Sequence, residues 1–247
     1  MKALVTGAAS GIGKALVERF LDLDMQVVGV DREAVGNKGN LVSIRADLAS
    51  RHDVDRLVVE LKDHGPFDYV VHNAGISATG KFEHIPDEAY RRLLTVNTET
   101  PLVMTSALLA AGCIVMDTRI IFISSLSHST GYPGAAVYGA SKDAVAVYAK
   151  SLRKSLSKDR IHVMAVFPGP VRTDHAERHA PPGAKAERRM EPGEIAERIV
   201  TAARQRKKVL YPGKAANFVR IIGAVMPETT TRFMRLAIYE KLQRSVY

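Results

Sequence analysis

"KALVTGAASGIG", residues 2–13, decides how the rest of the chain is read. A short β-rich run meets glycines at 7, 11 and 13, and a helical pattern then continues to about Leu23. Glycine tolerates the tight turn and lets backbone approach a phosphate closely, while a helix N-terminus offers free N–H groups and partial positive charge. A pyrophosphate fits there. A Gly-rich turn alone is weak evidence; its place between a first strand and a first helix is what gives it weight.

The same alternation recurs along the chain. "QVVGVD" (26–31) is followed by "LVSIRAD" (41–47) and a helix through Leu61, then by "FDYVVHNAG" (67–75) and a helix from Pro86. Next come "RIIFISS" (119–125), a helix from about Tyr138 to Ser157, "HVMAVFPG" (162–169), a helix from Glu194 to Arg206, and "KKVLYPG" (207–213). Short apolar runs with little alternation are strands buried on both faces. Strand and helix in turn predict an α/β fold: a doubly wound parallel sheet, Rossmann-like, with helices on both faces. Right-handed crossovers align the carboxyl ends of its strands along one edge, where ligands bind.

The polar motifs fall on that edge. Asp31 ends the second strand at the spacing where an acid bonds the adenosine ribose. Asp47 follows the third strand and is expected to reach the adenine amino group, while the small Ala74 and Gly75 let a cofactor lie against backbone. "FPGPVRT" (167–173) ends the sixth strand, where the Val171 backbone and the Thr173 hydroxyl would orient a nicotinamide carboxamide. Turn chemistry is the competing reading for each.

"AAVYGASKDAV" (135–145) puts Tyr138 and Lys142 four apart on a helix, hence side by side. A phenol can move a hydroxyl proton in either direction if its pKa comes down from about 10. An ammonium about 5 Å away at an effective dielectric of ~20 favours phenolate by roughly 3 kcal/mol, about two pKa units. Ser125, thirteen positions before Tyr138, would hold a substrate oxygen beside it, with Ser124 as the rival.

With "TGAASGIG" (6–13), "NAG" (73–75), "VN" (96–97), "SS" (124–125), "YGASK" (138–142) and "PGPVRT" (168–173) in order, the chain resembles the short-chain dehydrogenase/reductase family, in its compact single-domain branch. The resemblance covers about the first 175 residues. It implies a nicotinamide-dependent oxidoreductase with Asn97, Ser125, Tyr138 and Lys142 as catalytic tetrad, Asn97 acting toward Lys142 through water. It also implies dinucleotide contacts from Gly7, Ser10, Gly11, Ile12, Gly13, Asp31, Arg32, Asp47, Leu48, Asn73, Ala74, Gly75, Tyr138, Lys142, Pro168, Val171 and Thr173. No metal is expected. NAD is expected over NADP, because Asp31 would repel a 2′-phosphate and Ser10 stands where NADP-preferring relatives often carry a basic residue; Arg32 pulls the other way. The substrate is expected to be a small alcohol or carbonyl compound, a secondary alcohol and its ketone being interconverted.

Two segments depart from the family pattern. His72 stands where a second Asn is common and reads as structural. The glycine-rich ending is replaced by a helical segment, 214–247, which leaves a dimer favoured over a tetramer. Its apolar spacing, Phe218, Ile222, Val225 and then Phe233, Leu236, Tyr239, predicts helices packed beside the substrate cleft or at a subunit interface. Membrane contact through Arg220, Arg232, Arg235, Lys241 and Arg244 is the less favoured alternative. Residues 174–190, with Pro181 and Pro182, read as a substrate lid whose His175, Arg178, His179, Lys185, Arg188 and Arg189 would meet an acidic substrate or solvent.

The whole chain of 247 residues is expected to form one domain, since no linker or repeat divides it. Hydrophobic residues make up 46%, enough for a sizeable core. The lone Cys113 excludes an intrachain disulfide, and the strand pattern from the first residues leaves no room for a signal peptide; a cytoplasmic protein is expected. The net charge of +9 is scattered, without a nucleic-acid-binding motif, so a solvated basic surface is expected and nucleic acid is not. A dinucleotide-binding sensor or scaffold without turnover, and a basic protein that binds nucleic acid or a membrane surface, are the rival readings.

Overall fold

The computed structural model describes residues 1–184, 186–242 and 245–247; Lys185 and Arg244, named above, lie outside them. Seven parallel strands form one sheet in the order β3-β2-β1-β4-β5-β6-β7. They are β1 (Lys2–Thr6), β2 (Gln26–Asp31), β3 (Leu41–Arg45), β4 (Phe67–His72), β5 (Ile114–Ile123), β6 (His162–Val166) and β7 (Val209–Leu210). β1 pairs with β2 from Lys2↔Gln26 to Thr6↔Val30 and with β4 at Val5↔Val71. The strand order reverses between β1 and β4, and the crevice beyond their carboxyl ends is where an open α/β sheet binds ligands.

Strands alternate their side chains between two apolar layers. Leu4, Val28 and Val30 point to the side covered by α2 (Arg51–Leu61), α4 (Thr100–Ala110) and α6 (Ala136–Ser155), where Leu57, Met104 and Ala149 are buried. Ala3, Val5 and Val27 point to the other, covered by α1 (Gly11–Asp22) and α8 (Pro192–Arg204), where Phe20 and Ile199 are buried. With both faces covered, both alternating sets of side chains are apolar over most of the central strands β1, β2, β4 and β6, which is why these read as continuous runs. Truncating Phe20, which has no exposed surface and packs on Tyr69 at 5.0 Å, would cost about 3–5 kcal/mol.

Two boundaries differ from the sequence pattern. β5 begins at Ile114 rather than Arg119, because its first turn exposes Val115 and Met116 and so lacks a buried signature. β7 keeps only two residues, pairing as Ala165↔Val209 and Val166↔Leu210 before Tyr211 and Pro212 turn away, the proline having no N–H for a ladder. Between α3 (Asp87–Leu94) and α4, residues Thr95–Glu99 form a π turn.

The segment after β7 forms α9 (Lys214–Val225) and α10 (Pro227–Ala237), which pack on α5 (Ser127–Thr130). The apolar stripe expected beside the cleft or at a subunit interface faces away from the rest of the chain. Phe218, Val225, Phe233 and Leu236 are exposed, at 63%, 74%, 66% and 51%; the helices instead pack through small residues on their other faces. A Cβ on Gly223 would lie 1.8 Å from the Ser129 carbonyl oxygen, and Thr231 Oγ1 donates to the Thr130 carbonyl at 3.1 Å. Close backbone approach, not the apolar stripe, decides which face is inside.

Candidate active site

The turn after β1 is built so that only glycine fits. Gly7 has φ +69°, and a Cβ on Gly13 would stand 1.9 Å from the Gly7 carbonyl oxygen. Asn73 braces this turn: its Nδ2 donates to the carbonyls of Thr6 and Gly7 at 3.0 and 3.1 Å. The Thr6 hydroxyl accepts from the backbone N–H of both Asn73 and Ala74 at 3.1 Å, a role that sequence reading did not give it. Ser10 precedes α1 without a side-chain cap, and the first turn of α1 holds no acid, so its N–H groups face outward as donors for an anion.

At the adenosine end, Asp31 Oδ2 accepts the Ala9 N–H at 2.9 Å and Oδ1 the Glu33 N–H at 3.2 Å. The carboxylate therefore ties the end of β2 to the Gly-rich turn. A cleft of about 520 Å³ opens beside it, lined by Arg32, Glu33, Arg45, Asp47, Asp53 and Arg56. Arg45 Nε donates to the Arg32 carbonyl and Arg56 Nη2 to the Arg45 carbonyl, while the exposed Arg32 guanidinium lies 4.0 Å from Glu33. Asp47 is gripped by Arg92 of α3 at 2.9 and 3.2 Å. Burial resists its ionisation, but the Ala49 N–H and Arg92 outweigh that and hold its carboxyl below the usual value. Leu48 takes part through its carbonyl, which accepts from Thr100 Oγ1 at 2.7 Å.

The reacting end lies on the same edge. Lys142, 5% exposed, donates from Nζ to the Ile123 carbonyl at 2.9 Å and stands 5.9 Å from the centre of the Tyr138 ring. Burial brings its ammonium down to about 8. Burial also pushes the Tyr138 phenol up to about 12, against the opposing pull of the Ser125 hydroxyl. The expectation of a lowered phenol pKa is thereby reversed for the protein by itself: loss of hydration outweighs a lysine aimed at a carbonyl. Ser124 and Ser125 separate cleanly. Ser124 is buried and donates its hydroxyl to the Lys142 carbonyl at 2.8 Å, whereas Ser125 is partly exposed, accepts the Ser127 N–H at 3.2 Å and bears on the Tyr138 phenol.

Asn97 sits in the π turn, where the extra residue swings its amide toward β4. Its Oδ1 accepts the Ile76 N–H at 2.8 Å, and its Nδ2 donates to the Ile76 carbonyl at 2.9 Å and to Ser141 Oγ at 3.0 Å. The amide thus bonds backbone and Ser141 rather than Lys142. Gly75 separates the two: a Cβ there would be 2.9 Å from Lys142 Nζ and 3.4 Å from Asn97 Oδ1. Thr173 Oγ1 caps α7 (Asp174–Arg178) by accepting the Ala176 N–H at 3.1 Å, and its methyl would touch a Cβ on Gly11 at 3.1 Å. Val171 is buried and bridges to Met190, which returns the 174–190 segment to the sheet edge after Pro168.

That segment covers a second cleft, of about 400 Å³, lined by Thr79, Glu177, His179, Pro181, Leu242 and Val246 among others. Thr79 and Val246 exchange backbone hydrogen bonds at 2.9 and 2.8 Å, so the C-terminal segment forms one wall. Thr79 Oγ1 bonds His179 Nδ1 at 3.0 Å, and the His179 ring lies 4.8 Å from that of His175. Burial, then neighbouring His179, Lys142 and Arg178, keep His175 neutral at about 4. Tyr132 meets Tyr138 edge-on at 6.2 Å, and the buried Arg189 donates to Glu177 at 2.6 Å. Tyr132, Thr79 and Ser141 escaped sequence reading; Ser141, inside "YGASK", was the one visible there. His72 does not face this edge: it stacks on Phe122 at 4.9 Å and bonds Thr105 Oγ1 at 2.9 Å inside the core.

A doubly wound sheet with a glycine-only turn after β1 and a polar cleft at the carboxyl ends of β2 and β3 defines a dinucleotide-binding α/β protein. Comparison with known proteins narrows the class. The family model described as short chain dehydrogenase matches residues 1–182. A 3-oxoacyl-[acyl-carrier-protein] reductase from Synechocystis is 31% identical over 187 residues, 71% of this chain and 76% of the relative. Among solved structures, a 3-ketoacyl-(acyl-carrier-protein) reductase from Brucella melitensis complexed with NADH is 27% identical with a TM-score of 0.72, covering 85% of this chain and 94% of that one. A short-chain dehydrogenase from Sphingobium yanoikuyae in complex with NADPH is 25% identical with a TM-score of 0.75, over 93% and 95%. The chain belongs to the short-chain dehydrogenase family and is an oxidoreductase of that family. A nicotinamide dinucleotide is accordingly its cofactor class.

Proposed function

We propose that this protein interconverts a secondary alcohol and a ketone by hydride transfer with a nicotinamide dinucleotide, NAD being preferred over NADP. The bound dinucleotide supplies or accepts the hydride. The observation that carries the reading is the convergence of Ser125, Tyr138 and Lys142 on the sheet edge that also holds the glycine-only turn. Tyr138 is the group that moves the alcohol proton, Ser125 holds the substrate oxygen with its hydroxyl, and Lys142 supplies positive charge to the phenol. Asn97 keeps the Ile76 backbone and Ser141 in register beneath them. The high phenol pKa makes Tyr138 a proton donor at neutral pH, which suits carbonyl reduction; the positive charge of oxidised nicotinamide is what brings it down for alcohol oxidation.

NAD is favoured because the Asp31 carboxylate stands at the end of β2, and the adjoining Arg32 already lies 4.0 Å from Glu33. The lid is residues 174–190, and the substrate cleft is the one that its His179 shares with Thr79. The buried, unpaired Cys113 fits a reducing compartment, and we place the enzyme in the cytoplasm as a homodimer. A panel of ketones, 3-oxoacyl thioesters and secondary alcohols, read by NADH oxidation and NAD reduction at 340 nm, tests the activity. Turnover of a ketone or alcohol is expected; dinucleotide binding with no turnover across the panel would leave the sensor reading standing instead.

A further inference from the structure

We propose that the outer face of α9 and α10 docks on an anionic lipid bilayer. At about 100° per residue, Phe218, Ile221 and Val225 lie within one 60° sector of α9, roughly 150° away from Ala216 and Gly223, the residues that face the fold. On α10 the exposed Phe233 and Leu236 lie about 140–200° from Thr231, which bonds α5. Both helices therefore turn their largest apolar side chains outward from the same underlying element. Exposures of 63%, 52% and 74% for Phe218, Ile221 and Val225 make this a contiguous stripe rather than scattered surface residues.

Charge selects the occupant. Among the described residues of this segment five are cationic, Lys214, Arg220, Arg232, Arg235 and Lys241, and two are acidic, Glu228 and Glu240, the latter paired with Arg235 at 3.3 Å. Arg220 is turned over the Tyr211 ring at 5.3 Å, so Lys214, Arg232 and Lys241 are the cations left for the stripe, and an apolar face with such cations matches the headgroup and acyl boundary of an anionic leaflet. A second copy is the poorer fit, because a two-fold contact would bring together two faces that each carry five cations against two acids. No helix among the described residues is long and apolar enough to cross a membrane, so the contact is peripheral. Because Leu242 and Val246 of the same segment wall the 400 Å³ cleft, docking would bring that cleft to the lipid surface.

Sedimentation of the full chain with vesicles tests this, using phosphatidylcholine alone and phosphatidylcholine with 30% phosphatidylglycerol, a composition of the type to which basic helices bind. Binding is expected on the anionic vesicles and to weaken with added salt. Replacing both Arg232→Gln and Lys241→Gln should reduce partitioning about thirtyfold. Phe218→Ser with Phe233→Ser should reduce it more than about tenfold, with unfolding temperature and dinucleotide binding kept because both side chains are exposed. Equal sedimentation on the two compositions, or none on either, overturns the proposal. So does a concentration-dependent dimer that the phenylalanine variant dissociates, since the face would then belong to a second copy.

Discussion

Asn97 passes a hydrogen bond to Ser141 at 3.0 Å, and Ser141 Oγ passes its own on to the carbonyl of Tyr138 at 2.7 Å. The π turn and the start of α6 are thus joined by one hydroxyl that is fully buried.

Ser141→Ala should leave the Asn97 amide one partner short inside the protein, at a cost of about 1–3 kcal/mol in unfolding free energy. Turnover should fall while dinucleotide affinity stays within a few fold. Ser141→Thr, which keeps the hydroxyl, should recover part of the loss. A full-rate Ser141→Ala enzyme would mean that Asn97 does not need this link.

Tyr138→Phe should abolish turnover and leave dinucleotide binding nearly intact, whereas Lys142→Ala should weaken both. In the absence of dinucleotide, the absorbance of the parent minus that of Tyr138→Phe at 295 nm should show no phenolate below about pH 11, given a phenol pushed up to about 12. Saturation with NAD should shift that titration downward. A phenol that ionises near 8 without cofactor would contradict the burial argument.

His72 carries a separate, acid-side prediction. Burial pulls its pKa from 6.5 to about 3, so the unfolded chain takes up the proton first as pH falls, and stability is lost progressively from about pH 6.5 toward 3. Between pH 7 and 4.5 its share should be on the order of 2–3 kcal/mol. Urea unfolding of the parent and of His72→Asn at the two pH values isolates it. The variant should lose less stability than the parent on acidification; parallel losses would assign the acid sensitivity to His175 and His179 instead.

Cofactor choice rests on Asp31 against Arg32. At about 4 Å and an effective dielectric of ~20, Asp31 and a 2′-phosphate repel by on the order of 4 kcal/mol, a preference of several hundredfold before screening. Asp31→Ala should narrow or reverse the preference for NAD, and Arg32→Ala should change NAD affinity little. Tighter NADP binding by the parent would show that Arg32 prevails.

The sheet and its glycine turn were legible because their constraints are local. Gly7 and Gly13 leave no space for another side chain, and strands buried on both faces must be apolar throughout. Tyr138 and Lys142 stood out by their spacing, while the choice of Ser125 over Ser124 came from the family resemblance. The phenol pKa was not, since it turns on how much water the fold removes and on Lys142 being aimed at the Ile123 carbonyl. Thr79 and Tyr132 were invisible because their partners, Val246 and Tyr138, come together only through tertiary packing. The α9 and α10 stripes were legible as apolar faces but their orientation was not: periodicity reports that a helix has an apolar face, while Gly223 against Ser129 decides which face turns toward the rest of the chain.

The bridge between Thr79 and Val246 also orders events in time. Its partners are separated by most of the chain, and so distant a pair closes only after the intervening strands have assembled, because loop-closure entropy is spent before the contact returns anything. The phosphate turn, by contrast, needs only β1, α1, β2 and β4, all near one another in sequence. A refolding molecule should therefore hold dinucleotide before it has a finished substrate chamber. Stopped-flow refolding should accordingly recover the fluorescence of bound NADH ahead of turnover, and simultaneous recovery would show that the wall is not the last part to form.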